Sequence, residues 1–481
     1  MKVLFAASEV APFAKTGGLA DVAGSLPRAL AGLGHEVRVV LPRYRHADPQ
    51  RFGLRHIATF FVPLASWKER CDILEGSLGP RVTAWFIQKD IYYDRPELYR
   101  TPFGDYHDNA ERFIFFSRTI PELCRTLGFA PDIVHCNDWQ TGLVPLYLKK
   151  FYSADPVLRP ARSVFTIHNL GYQGIFWQGD FRLTGLGAED FTADGVEFWG
   201  NMNFLKTGIR FADAITTVSS TYSREVRTPE GGHGLDGVLR KRAADLYGIV
   251  NGIDTVEWDP ARDPAIAATY SAAKPSGKAR CRTALRGELG LAETPEPLIG
   301  MVTRLTDQKG LDILMDALPA VLAAGVQLVI QGSGDEHYHR LLDDAGRAHR
   351  DRMRVLLRYD DALAHRIYAG ADMFLMPSRY EPCGLGQMLA LRYGTVPVVR
   401  RTGGLADTVV DHHGSTTGTG FLFNEYTGGA LAACVRRAVA AYRDPARWRR
   451  IVRAGMRADF SWTHSAREYE KVYRKVLEKS R

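Results

Sequence analysis

Along this chain, short apolar runs alternate with longer stretches whose apolar positions recur every three or four residues. In the first half the runs fall at 2–8, 36–41, 81–87, 132–136, 163–168 and 214–218, and most are rich in Val, Ile and Phe. Such runs predict short strands buried on both faces of a parallel sheet. Helical patterns lie between them at 21–33, before Gly34, and at 108–127, before Gly128; a glycine just past the last turn is a common helix stop. The second half repeats the style. Strands are predicted at 298–303, 327–331, 354–357, 373–376 and 396–400, with helices at 310–323, 336–348, 362–369 and 384–393. Alternation of this kind predicts two doubly wound α/β domains. The expected division is 1–248, 249–458 and a terminal segment, 459–481. The stretch after GIVNGID, up to Ser276, reads as irregular. A last helix at 465–479, with Tyr469 and Tyr473 as its aromatic stripe, reads as packing surface that crosses back onto the first domain.

Length supports the division, because 481 residues exceed one comfortable core. With 45% hydrophobic and 24% charged residues, the composition is that of an ordinary soluble globular chain. The net charge of +8 is spread along the chain apart from small clusters such as Arg447-Trp448-Arg449-Arg450. A solvated basic surface explains these clusters, and nothing in them calls for nucleic acid. The cysteines, Cys71, Cys124, Cys136, Cys281, Cys383 and Cys434, show no CxxC spacing, so neither zinc nor a redox disulfide is signalled. Scattered thiols fit a reducing cytoplasm. The apolar start at 3–7 is broken by Ser8 and Glu9, unlike a signal peptide, and no run is long enough to span a bilayer.

The unusual chemistry sits at or just past predicted strand ends, where open α/β sheets bind ligands. Lys15-Thr16-Gly17-Gly18-Leu19-Ala20-Asp21 follows the first strand, and Arg401-Thr402-Gly403-Gly404-Leu405-Ala406-Asp407 follows a late one. Each reads as a cation, a capping Thr and two glycines that turn backbone N–H groups inward at a helix start, which makes an anion site. One in each half suggests a charged ligand held between the domains. Arg304 and Lys309 follow the 298–303 strand and suit a diphosphate. Glu381 stands between a strand and a helix, ahead of Pro382 and Gly384, and a carboxylate there can accept from sugar hydroxyls. His168 and Asn169 end another strand. Asp138 beside Trp139 suits a carbohydrate, although Asp138 as a helix cap and Trp139 as core is the simpler reading. No nucleophile triad, metal-ligand cluster, Walker loop or dinucleotide fingerprint is present in the sequence.

Six segments occur in one order: KTGGLADV at 15–22, TIHNLGYQG at 166–174, VNGID at 250–254, TRLTDQKG at 303–310, PSRYEPCGLGQ at 377–387 and RTGGLADTV at 401–409. Together they resemble the family of bacterial glycogen synthases and plant starch synthases, over nearly the whole chain. The resemblance implies two Rossmann-like domains facing across a deep cleft, the GT-B type. It implies transfer of glucose from ADP-glucose to the 4-hydroxyl at the non-reducing end of an α-1,4-glucan, with retention of the α configuration. ADP leaves, and neither metal nor cofactor is required. The implied partners are ADP-glucose and a glycogen or maltooligosaccharide acceptor, with no nucleic acid and no membrane; the oligomeric state stays open.

By the same resemblance Lys15, with Gly17 and Gly18, contacts the sugar nucleotide, and Arg304 and Lys309 neutralise the leaving diphosphate. Glu381 binds the donor glucose, and His168 contacts it with its backbone carbonyl near the anomeric carbon. Asp21, Asn169, Asn251, Cys383, Gly384 and Leu385 are implied binding residues, and Glu9, Tyr99 and Asp138 lie on the acceptor side. The chain departs from the family pattern at Asn137, Tyr380 and Gly386, none of them a charged catalytic position. Leu389 stands eight positions after Glu381, where many related retaining transferases carry an acid. That favours front-face attack over double displacement.

Overall fold

The computed structural model describes residues 1–101, 103–413 and 417–479. The chain forms two compact units: Met1–Gly252 together with Trp462–Arg481, and Ile253–Ser461.

The first unit is built on a nine-stranded sheet. Its strands are β1 (Lys2–Ala6), β2 (Glu36–Pro42), β3 (Arg55–Leu64), β4 (Trp67–Gly79), β5 (Val82–Gln88), β6 (Ile133–Asn137), β7 (Arg162–Ile167), β8 (Ala214–Thr217) and β9 (Leu246–Gly248). They lie in the order β9-β8-β7-β6-β1-β2-β5-β4-β3. Pairing is parallel from β9 to β5 and antiparallel on both sides of β4. The chain leaves β1 toward β2 on one side and reaches β6 on the other, so the switch point of the sheet lies between β1 and β6. The β3–β4 hairpin is absent from the sequence reading. β3 carries a largely apolar run at 57–64, but Pro63 interrupts it as a central-strand pattern, and as the edge strand it leaves much of the run half-buried and Phe61 exposed.

The helix Gly18–Gly32 follows β1 and buries Leu19, Val22, Ala23, Leu26 and Leu30 against the sheet. The last helix, Trp462–Glu478, belongs to this unit. Trp462, Ala466, Tyr469, Tyr473 and Val476 recur at helical spacing and share one core with Val3, Phe5, Val37 and Val39. Tyr473 is also tied to the sheet by a 2.6 Å hydrogen bond between its hydroxyl and His135 Nδ1. A small three-stranded sheet, Ile175–Phe176, Asn201–Asn203 and Glu197–Phe198, follows β7.

The second unit holds six parallel strands: β10 (Leu298–Val302), β11 (Gln327–Gln331), β12 (Met353–Leu356), β13 (Met373–Met376), β14 (Val396–Arg400) and β15 (Phe421–Phe423). Their order is β12-β11-β10-β13-β14-β15, which puts the switch point between β10 and β13. Residues 253–276 carry no helix or strand. They are held by side chains: Asp263 accepts from His365 Nδ1 at 2.7 Å and from the Tyr393 hydroxyl at 2.5 Å, while Trp258 stacks on His365 at 3.9 Å. Among the described residues no helix is long and apolar enough to cross a membrane.

Candidate active site

In the second unit, the two loops that leave β10 and β13 flank the switch point and are stitched together. Arg379 N donates to Gln308 O at 2.8 Å, and Gln308 Nε2 donates to Tyr380 O at 3.2 Å. Gly310, at φ +71°, passes so close to Pro377 that a Cβ would stand 2.0 Å from its carbonyl oxygen. The stitching brings Lys309 Nζ to 2.7 Å from Glu381 Oε2 and 3.0 Å from Oε1, and Ser378 Oγ donates to Oε2 at 2.9 Å. The Glu381 side chain is only 7% exposed and that of Lys309 14%. Lys309 therefore bridges both oxygens of the Glu381 carboxylate and holds it in one orientation. Arg304 is different: it is exposed, and its guanidinium pairs with no carboxylate among the described residues.

The second glycine pair works on this same loop. Gly404 N donates to Glu381 O at 3.0 Å and to Pro382 O at 3.1 Å. A Cβ on Gly403, itself at φ +44°, would stand 1.9 Å from Glu381 O, and one on Gly404 would stand 2.1 Å from Cys383 O. The reading of this segment as an open anion turn is corrected here, since its inward face is filled by the chain's own backbone. Cys383 is buried, Gly384 lies at φ +72°, and Gln387 Nε2 donates to the carbonyls of both. Leu385 flanks the start of the helix Gly386–Arg392.

In the first unit, the loop after β1 is organised by Glu9. Its carboxylate accepts from Thr16 N at 2.5 Å, Thr16 Oγ1 at 2.7 Å, Gly17 N at 3.1 Å and the Tyr99 hydroxyl at 2.9 Å. Ser8 Oγ lies 2.7 Å from the same hydroxyl. Two expectations change. Thr16 does not cap the following helix, whose N-cap is Gly17, because its hydroxyl is spent on Glu9. Some inward N–H groups of the turn already hold an anion, the carboxylate of Glu9. Gly17 and Gly18 nonetheless border open space, with nothing within 4 Å of a Cβ on either. Lys15 is exposed and pairs with Asp21 at 2.6 Å.

Asp138 and His168, past β6 and β7, meet beside this loop. His168 N donates to Asp138 Oδ1 at 2.8 Å, and His168 Nε2 lies 2.9 Å from Asn137 Oδ1. Asn137 Nδ2 is committed to Ala6 O at 3.0 Å, so its oxygen faces the imidazole. Nε2 then carries the proton and Nδ1 is left as an acceptor. Burial pushes the His168 pKa down to about 3, so the ring is neutral. Burial pushes the Asp138 carboxyl up to about 7; the His168 amide opposes this and the Glu9 charge adds to it. Asp138 also sits at φ +55°, a conformation that a non-glycine residue holds only when its surroundings impose it. Its side chain caps no helix, which corrects the simpler reading of it, whereas Trp139 does pack among aromatics, with Phe113 at 4.8 Å and Phe176 at 5.5 Å.

Glu9, Tyr99, Asp138 and His168 are thus one cluster, and Lys309, Glu381, Cys383 and Gly384 another. Asn169 stands beside the first and accepts from Gly171 N at 3.0 Å. Asn251 is buried, and its Oδ1 has no partner among the described residues. The sequence reading did not single out Ser378 or assign Asn137 a contact. Both lie inside motifs already noted, but only the folded loops show which carboxylate or imidazole they touch. Among the described residues no group of three or more His, Cys, Asp or Glu side chains gathers as a metal site would.

The family model described as starch synthase catalytic domain matches residues 2–241, and that of glycosyl transferases group 1 matches 283–454. A glycogen synthase of Anaeromyxobacter dehalogenans (strain 2CP-1 / ATCC BAA-258) is 50% identical over 479 residues, covering 98% of this chain and 99% of its own. One of Syntrophotalea carbinolica is 49% identical over 481 residues, covering 99% of each. Among solved structures, the catalytic domain of starch synthase IV from Arabidopsis thaliana, bound to ADP and acarbose, superposes with a TM-score of 0.91 at 36% identity over 99% of both chains. Sucrose-phosphate synthase from Thermosynechococcus elongatus shares the fold, with a TM-score of 0.62 at 19% identity.

Proposed function

We infer the reaction from one premise: this chain belongs to the family of glycogen synthases and starch synthases. It is a retaining glycosyltransferase with two Rossmann-like domains of the GT-B type, taking a nucleotide-sugar donor and a glucan acceptor. The finer reading is that the donor is ADP-glucose and the acceptor the non-reducing end of glycogen or a maltooligosaccharide. The bond from C1 of glucose to the phosphate oxygen breaks, a bond from C1 to the acceptor's O4 forms, and the proton of that hydroxyl passes to the departing phosphate.

The observation that carries this reading is the division of labour at the switch point of the second unit. Lys309 is spent on Glu381, which fixes a buried carboxylate able to accept from sugar hydroxyls. Arg304, in the loop that also carries Lys309, is exposed and pairs with no carboxylate among the described residues, which leaves it to meet the charge that grows on the leaving diphosphate. A charge that acts mainly as the bond breaks raises turnover rather than merely tightening binding. Lys15, with the open space at Gly17 and Gly18, supports a second approach of the sugar nucleotide. Neutral His168 offers a hydrogen bond without competing for the phosphate's positive partners. The residue eight positions after Glu381 is Leu389, buried and unable to act as a nucleophile, which supports front-face attack with retention. Trapping of a covalent glucosyl-enzyme overturns that step. The reading assigns no role to a metal or cofactor, because cationic side chains meet the diphosphate. All six cysteines are buried free thiols, which supports a reducing, cytoplasmic setting.

The test is ADP release from ADP-glucose, with and without glycogen, for the wild type and Glu381→Ala, with UDP-glucose alongside. Glycogen-dependent release that the substitution abolishes is the expected result. Faster turnover of UDP-glucose reassigns the donor, and no release from either donor turns the reading to a glucan-binding protein without transferase activity.

A further inference from the structure

We propose that Tyr172, Trp177 and Trp199 form an aromatic platform that holds the acceptor glucan beyond the glucose that reacts. The proposal rests on the glucan-acceptor reading above. All three flank the strands of the small sheet that follows His168, and they are 56%, 68% and 85% exposed; Ile175, in its first strand, is 49% exposed. Single exposed apolar side chains are ordinary, but four large ones on and beside the strands of one small sheet call for an occupant.

The backbone shows that the exposure is built. Phe198 pairs with Asn201, so Trp199 and Gly200 are the two central residues of a hairpin turn, at φ +53° and +78°. Such a turn favours Asn followed by Gly. A bulky aromatic in the left-handed region is an outlier, and at 85% exposure its edge contact with Phe198, 6.3 Å away, leaves most of the ring in solvent. Glu197 Oε1 braces the turn by accepting from Gly200 N at 2.7 Å. Trp177 is held in place differently. Its ring lies across Gly179, where a Cβ would stand 2.2 Å from it, so glycine there leaves room for that pose. Both tryptophans leave the same end of the sheet. Phe176 pairs with Met202 and Phe198 with Asn201, so Trp177 and Phe198 sit about two strand spacings apart, roughly 10 Å.

The platform is continuous with the candidate site. Tyr172 comes three residues after Asn169 and donates its amide to Asn169 O at 3.2 Å. Phe176 turns inward onto Trp139, 5.5 Å away, so the sheet is anchored on the residue next to Asp138. Flat rings exposed in series suit the C–H faces of successive sugar rings in a neutral glucan.

Trp199→Asn is the sharpest test, because Asn suits the turn and the variant keeps or raises its melting temperature. Trp177→Ala is its companion. Two readouts are taken: retardation in native gels containing glycogen, and ADP release with glycogen or maltotriose. Expected are weaker retardation and a KM for glycogen about five- to tenfold higher, with the KM for ADP-glucose and turnover on maltotriose unchanged. Unchanged retardation and glycogen KM in a wild type that releases ADP overturns the platform alone. No ADP release from the wild type overturns the transferase reading instead, and the gels then still report on glucan binding. A dimer that either substitution converts to monomer, with glycogen affinity intact, assigns the patch to a second copy of the chain and overturns the proposal.

Discussion

Thr-Gly-Gly-Leu occurs at 16–19 and again at 402–405, each time between a parallel strand and a helix, and the two copies do opposite things. In the first unit the glycines border open space. In the second they are pressed against the carbonyls of Glu381 and Cys383 at distances no Cβ tolerates. One pair leaves room for something to arrive, and the other holds a loop that is already there. Glycine is needed in both because it lacks a side chain, but one vacancy faces solvent and the other faces backbone. The same letters therefore carry different physics, and only packing separates them.

The strongest test of the stitched side is to remove its cation. Lys309→Ala leaves the Glu381 carboxylate buried without its partner and is expected to cost about 3–5 kcal/mol of stability. It should also lower turnover by roughly 10²–10³. Arg304→Ala is expected to match that loss of turnover with no change in melting temperature, because Arg304 is exposed and pairs with no carboxylate among the described residues. Equal stability losses in the two variants break the division drawn between them.

Gly403→Ala attacks the comparison directly. The added methyl must push the Glu381 carbonyl aside, at an expected cost of about 1–3 kcal/mol, together with a clear fall in glycogen-dependent ADP release. Thermal melts and the release assay check both. Its counterpart, Gly17→Ala, should leave stability within about 0.5 kcal/mol, since φ there is −150° and the space is open. If the donor approaches that face, its KM rises roughly tenfold, about 1.4 kcal/mol. A donor KM that does not move means the open side faces no ligand.

The smallest effect is one of pH. The Asp138 carboxyl is raised to about 7, above its ordinary range near 3.8. The stability it contributes is fully present below the ordinary value and is lost as pH rises through about 7. His168, lowered to about 3, works in the opposite sense: its contribution is present above its ordinary value of 6.5 and is lost as pH falls toward 3. Asp138→Asn should therefore flatten the decline in melting temperature between pH 5 and pH 8. A wild-type decline that survives the substitution removes Asp138 as its source.

The contrast also marks where sequence reading stops. Strands such as Gln327–Gln331 and Met373–Met376 are legible to the residue, because a short apolar run between polar or turn positions leaves few alternatives. The hairpin Arg55–Gly79 is not, since its first strand lies at the sheet edge and carries Pro63 within its apolar run. The helices Gly428–Tyr442 and Pro445–Arg457 lie outside the elements the sequence predicts, although a capping Thr427 before the first and Asp444-Pro445 at the start of the second announce them. Placement at strand ends brings out Lys15, Asp138, His168, Arg304 and Glu381. What escapes is the partner of each. That Lys309 turns to Glu381 depends on loops far apart in the chain, and that Glu9 occupies the amides after β1 depends on how one loop folds back on itself.

The helix Trp462–Glu478 sets an order of assembly. It supplies Trp462, Tyr469 and Tyr473 to a core begun by Val3 and Phe5. A ribosome releasing this chain from its amino end delivers all of Ile253–Ser461 before that helix emerges. The first unit is thus the first begun and the last closed, with part of its apolar core waiting uncovered while the second unit is made. Domains usually fold in order of synthesis; here the nascent chain must carry an unfinished half, and that half is the one most exposed to chaperones and proteases.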